Sequence, residues 1–103
     1  MTRKIFKYNL EVTDKQTLKL PPGSHILSVM NQRDNIVLYA LVWPTENKEV
    51  YEDVSIRIVG TGHDIDFFIP AERFGGGYKF LGTVSLHGGA LMFHVFYMKE
   101  GRD

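Results

Sequence analysis

The chain contains no cysteine, which removes disulfide frameworks, thiolate metal sites and cysteine nucleophiles from consideration. That absence fits an intracellular protein. A charge excess is also missing, because 12 Lys and Arg offset 12 Asp and Glu among 103 residues. Proteins that track a phosphate backbone usually show a basic excess or a basic stripe, so long nucleic acid is not expected as a ligand. A small anion needs only one or two local cations, and this composition leaves that open. No run approaches the ~20 apolar residues of a membrane helix. The opening "MTRKIFKYNL" has basic residues but neither the apolar stretch nor the small-residue cleavage site of a signal peptide. The expected setting is the cytoplasm, with no membrane partner.

What is present is apolar residues in alternation. Hydrophobic residues make up 44% of the chain and aromatics 13%, enough for one packed core in a single β domain spanning 1–103. Phe6, Tyr8 and Leu10 share one parity, with Lys7 and Asn9 on the other. Leu18 and Leu20 alternate with Lys19 before "PPG" at 21–23 breaks the chain. "SHILSVMNQ" and "NIVLYALVW" flank Arg33 and Asp34, which read as a hairpin turn. The second run is apolar on both parities, as a strand covered on both faces would be. In "VSIRIVGTG", Val54, Ile56 and Ile58 face inward and Ser55, Arg57 and Val59 outward. The segments 35–43, 54–60, 77–86 and 90–98 are the expected central strands. "EVTDKQTL" offers at most one helical turn. The polar stretch 44–53 reads as a loop and 63–77 as a long loop, with a disordered tail at 99–103. About seven short strands with turn signals between them predict an all-β protein, a small antiparallel β-sandwich or roll.

Several groups of residues could carry chemistry. "GTGH" at 60–63 follows a strand directly, and its glycines would let backbone N–H groups converge on an anion, with His63 as a charged donor. The alternative is a strand-end glycine turn. If the strand stays regular, Arg57, Thr61 and His63 lie on one face, where the guanidinium fork suits phosphate. On that placement, replacing Arg57 would barely affect folding. The run with Phe67, Phe68 and Phe74 beside "GGG" reads as an aromatic lid over a ligand, or as a loop packed onto the body. Tyr39 and Trp43 could stack on a base or pack in the core.

His63, His87 and His94, with Asp64 and Asp66, lack the spacing of a metal motif, and neither metal nor cofactor is expected. His94 lies among apolar residues on both parities of the last strand. It is expected to be a covered imidazole with a hydrogen-bond partner. The second apolar face, Met92, His94, Phe96 and Met98, suggests cover by another layer or another subunit, and with little mass in the chain to cover both faces a homo-oligomer is expected. No nucleophile elbow is present, and the carboxylate pairs Asp64/Asp66 and Glu52/Asp53 sit on loop-like segments. A dedicated enzyme is therefore not expected.

The segments "KIFKYNLEVTDKQTLKLPPGSHILSV", "LYALV", "RIVGTGHDI", "FLGTV" and "GGALMFHVFY" together resemble a family of small phage and bacterial proteins described only as a domain of unknown function. The resemblance covers nearly the whole chain. It implies a phage origin and a host-cytoplasm setting rather than a reaction. Phage accessory proteins of this size commonly act by binding. The expectation is a sponge that sequesters a small nucleotide immune signal of the host, held by Arg57, Gly60, Thr61, Gly62, His63, Phe67, Phe68 and Phe74. The alternatives are an inhibitor that blocks a host defence protein and a small nucleotide phosphodiesterase.

Overall fold

The computed structural model describes residues 2–46, 49–70 and 76–100. They form seven strands: β1 (Lys4–Leu10), β2 (Lys15–Leu20), β3 (His25–Gln32), β4 (Asn35–Val42), β5 (Glu52–Gly60), β6 (Lys79–Leu86) and β7 (Leu91–Lys99). A single 3-10 turn, His87–Gly89, links the last two. All pairings are antiparallel, in a three-stranded sheet ordered β1-β4-β3 and a four-stranded sheet ordered β2-β5-β7-β6. The expected all-β sandwich is the observed fold. "EVTDKQTL" contains no helical turn; a bend at 12–14 leads straight into β2. Gln16 closes that bend, donating from Nε2 to the Glu11 carbonyl at 2.6 Å and accepting from the Glu11 amide at 3.1 Å.

Alternation explains the core. Leu10, Leu20, Ile36, Leu38, Ala40, Val42, Val54, Ile56, Ile58, Val84, Leu86 and Val95 are buried between the sheets, each two residues along its strand from the next inward position. At ~25 cal/mol per Å² of apolar area, each such leucine or isoleucine contributes about 2 kcal/mol. β4 is central in the first sheet and β5 and β7 in the second, whereas β6, expected at 77–86 to be central, is an edge strand because only β7 pairs with it. β5 is buried on both faces, including Ser55, Arg57 and Val59, whereas its second face was expected to meet solvent.

The β3–β4 hairpin turns at Arg33 and Asp34, both at positive φ (54° and 64°), as a two-residue turn matching the strand twist requires. Asp34 anchors the hairpin to the neighbouring turn by accepting from the His87 amide at 2.7 Å and pairing with His87 Nδ1 at 2.6 Å. The sandwich is closed along its β3–β6 side. There Asn31 Nδ2 donates to the Ser85 carbonyl at 2.6 Å, and a Cβ on Gly82 would come within 3.1 Å of Val29.

The outer face of β7 is covered in part by its own chain. Phe67 packs edge-on against Tyr78 and Phe96, with ring centroids 4.9 and 5.3 Å apart, and Val59 and Met98 join this second cluster. At Phe96 the cover is another layer of the same chain, Phe67 and Tyr78, while Met92 stays 42% exposed. Lys99 and Glu100 belong to the folded body rather than to a disordered tail: Lys99 pairs with Val54 in the ladder, and the Glu100 amide donates to the Asp53 carbonyl. Residues 101–103 lie outside the described ones. No helix among the described residues is long and apolar enough to cross a membrane.

Candidate functional site

Arg57 sits at the middle of β5 on the face away from the main core. It is 8% exposed. Its Nε donates to the Asp14 carbonyl at 3.1 Å, and its Nη2 meets the Asp14 and Asp66 carboxylates at 3.3 and 2.7 Å. The guanidinium lies 4.5 Å from the Phe67 ring centroid, within cation–π range. Burial disfavours its charge. Hydrogen bonds to Asp66 and Tyr78 and the nearby charges of Asp14 and Asp66 outweigh that effect, and its pKa is raised. This corrects the placement read from strand parity. The parity was right, but Asp66, Phe67 and Tyr78 fold over that face, and Arg57 ties them to the strand rather than presenting a free phosphate fork.

The 60–63 turn also differs from an open anion nest. The Gly60 carbonyl accepts from the His63 amide at 3.1 Å, and Gly62 takes φ +89°, which a glycine adopts without strain. The Thr61 amide donates to the Met92 carbonyl at 3.4 Å. Two of the amides expected to cradle a phosphate are therefore engaged within the chain. The His63 ring folds back over its own turn, 3.1 Å from where a Gly60 Cβ would sit.

His94 lies beside this turn. Its Nε2 is 2.7 Å from the Thr61 hydroxyl and its Nδ1 2.8 Å from the Thr83 hydroxyl, so both ring nitrogens have partners. Its own role is to tie the turn to the sheet. Gly60, Thr61, Gly62, His63, Phe80 and His94 share a shallow depression of about 200 Å³, which Arg57 does not line. His87 is elsewhere, paired with Asp34. Among the described residues no three His, Asp or Glu side chains group as a metal site.

The aromatic loop is divided as well. Phe67 is a packing residue, whereas Phe68 is 68% exposed. Phe74 lies outside the described residues, as does Gly75 of the "GGG" run. Tyr39 lies half-buried on the outer face of the three-stranded sheet. Trp43, 38% exposed, is stacked by Arg3 at 4.9 Å.

A larger concavity than this depression is one the sequence reading missed. Phe6 and Tyr8 from β1, Lys19 and Leu20 from β2, Pro21, Pro44 and Tyr51 line a cleft of about 500 Å³. It lies on the side opposite the β3–β6 closure, where the chain breaks at Pro21 and Pro44. Lys19 Nζ stands 4.0 Å over the Tyr51 ring and 3.3 Å from the Asp53 carboxylate. Contact with Tyr51, and then Asp53, raises the Lys19 pKa against an opposing effect of burial, and burial alone raises that of Tyr8. The signal in the sequence was the inward parity of Phe6 and Tyr8 at the open end of β1. Tyr51 gave none, because it sits in a stretch that reads as polar loop.

The arrangement defines a small two-sheet β domain with an aromatic cleft at one open edge. The chain belongs to the family described as Domain of unknown function (DUF7352), whose model matches residues 1–103. No curated protein and no solved structure matches it.

Proposed function

We propose that this protein binds a small aromatic anion, of which a nucleotide is the type, without turning it over, and that the ligand occupies the cleft of Phe6, Tyr8, Lys19 and Tyr51. The observation that carries this reading is the cleft itself. Its volume of about 500 Å³ falls in the ~300–1,000 Å³ range of small-molecule sites, which are apolar concavities with a few placed polar groups. Aromatic faces stack on a base regardless of its identity, and the Lys19 ammonium can exchange its exposed Asp53 partner for a ligand phosphate. The depression at 60–63, at about 200 Å³, has room for only part of a nucleotide, which is why the larger cleft is favoured over it. In a phage-encoded setting, such a protein would act in the host cytoplasm as a sponge for a nucleotide immune signal.

A second reading, in which the protein blocks a host protein, is favoured by the outer face of β6 and β7. Phe80 and Met92 are 56% and 42% exposed there, on either side of His94. Incubation with a panel of nucleotide second messengers, heat denaturation and chromatography of the supernatant separate the readings. Ligand removed from solution and released intact supports sequestration. Degraded ligand identifies an enzyme, and ligand never depleted overturns the small-molecule reading.

A further inference from the structure

The outer face of the β1-β4-β3 sheet carries a second concavity, of about 280 Å³, lined by Lys7, Asn9, Gln32, Arg33, Asn35 and Val37. Lys7 and Asn9 alternate with the inward Phe6 and Tyr8, so this site lies on the opposite side of the sheet from the aromatic cleft. We propose that it binds a phosphate-sized oxyanion.

Four features point to that chemistry. First, the lining holds two cationic side chains and three amides, with no carboxylate. Second, the one acid in the turn, Asp34, is directed away, because both its oxygens are held by His87. Third, Lys7 Nζ donates to Gln32 Oε1 at 2.9 Å. With its oxygen so engaged, the Gln32 amide presents its N–H₂ as a donor. Fourth, the Arg33 guanidinium has no hydrogen-bond or ion-pair partner among the described residues, although its backbone carbonyl accepts from Asn35 Nδ2 at 3.3 Å. Val37, 1% exposed, forms an apolar floor that excludes water beneath a bound ion. Arg33 is also held at φ 54°, a left-handed conformation that is unfavourable for a non-glycine residue. An Asn-Gly pair would make the same turn with less strain, so the arginine runs against the local preference.

The test is a titration of the whole protein with inorganic phosphate, and separately with glycerol phosphate, at constant ionic strength and followed by backbone amide resonances. Saturable shifts confined to Lys7, Asn9, Gln32, Arg33 and Asn35 are expected. Tighter binding of the ester would mark the phosphoryl group of a larger molecule as the ligand, and equal binding would mark free phosphate. Arg33→Asn removes the cation while keeping a residue that tolerates positive φ. It should weaken binding about tenfold, the loss of one charge-assisted hydrogen bond. Lys7→Met should do the same. Shifts that never saturate, or an unchanged affinity in folded Arg33→Asn, would overturn the site. Neither result bears on the aromatic cleft, whose ligand is read by Tyr51 on the other side of the sheet.

Discussion

The Tyr78 hydroxyl lies 2.6 Å from the Ser55 hydroxyl, and this buried pair joins the residues that precede β6 to the centre of β5. Ser55 is fully buried and Tyr78 is 7% exposed. The Tyr78 amide also donates to the Phe68 carbonyl at 2.9 Å. One residue thus fastens both the backbone and a side chain of the segment that roofs the outer face.

Removing one hydroxyl leaves the other buried without a partner, which costs about 1–3 kcal/mol. Tyr78→Phe should therefore destabilise the protein by that amount in urea unfolding. Ser55→Ala combined with Tyr78→Phe should recover part of the loss, because deleting both partners orphans neither. A double variant as unstable as the sum of the singles would show that the pair does not interact.

Arg57→Ala should cost about 2 kcal/mol in thermal or urea unfolding, since it removes charge-assisted hydrogen bonds and a ring contact from a buried position. Asp66→Ala should cost less than about 1 kcal/mol, because the carboxylate it removes is 76% exposed and already solvated. Equal and negligible effects would mean that the guanidinium is not held under Phe67.

Strand identity was legible because alternation reports burial directly. The inward sets of β5 and β7 are those that periodicity selects, whereas β4, apolar on both parities, offered no such choice; the Arg33–Asp34 turn follows from the break between two apolar runs. Arg57 shows where such reading stops. Parity says which face a side chain leaves by, not what later folds over that face, and the cover comes from Asp66, Phe67 and Tyr78, which lie in stretches with no period. The 60–63 turn fails for a related reason. Glycine spacing permits an anion nest, but the Met92 carbonyl that takes the Thr61 amide is about 30 residues away in sequence and close only in the sheet. The aromatic cleft combines β1, β2 and Tyr51, three segments that only the sandwich brings together.

Alkaline pH should weaken both stability and binding. Lys19 has a pKa raised above its ordinary 10.5 and Tyr8 above 10.0. In each case the folded state holds its proton more tightly than the unfolded chain. Their contributions are therefore fully present below those ordinary values and are lost as pH rises through the folded ones. Ligand capture by the cleft should be flat from pH ~7 to ~9 and fall only above 10.5, as Lys19 loses its charge. Isothermal titration across that range checks it. Capture that stays unchanged well above pH 10.5 would overturn the role given to Lys19.

Gly77 gives the sharpest test of the roof. Its φ is +105°, and an added Cβ would stand 2.7 Å from the Phe68 ring and 2.8 Å from the Phe68 carbonyl oxygen. The ring could swing aside, since Phe68 is largely exposed, but the carbonyl is held by the Tyr78 amide. Gly77→Ala must therefore break that hydrogen bond or distort the backbone, in addition to the ~1–2 kcal/mol of placing a side chain in a left-handed conformation. A loss of about 2–4 kcal/mol is expected. Gly76→Ala meets nothing within 4 Å among the described residues, so it should cost clearly less than Gly77→Ala. Thermal unfolding of the two neighbours, with limited proteolysis to locate the opened segment, decides the matter. Equal midpoints would mean that the Phe68–Tyr78 clasp does not hold the roof, and the burial of Arg57 beneath it would fall with the clasp.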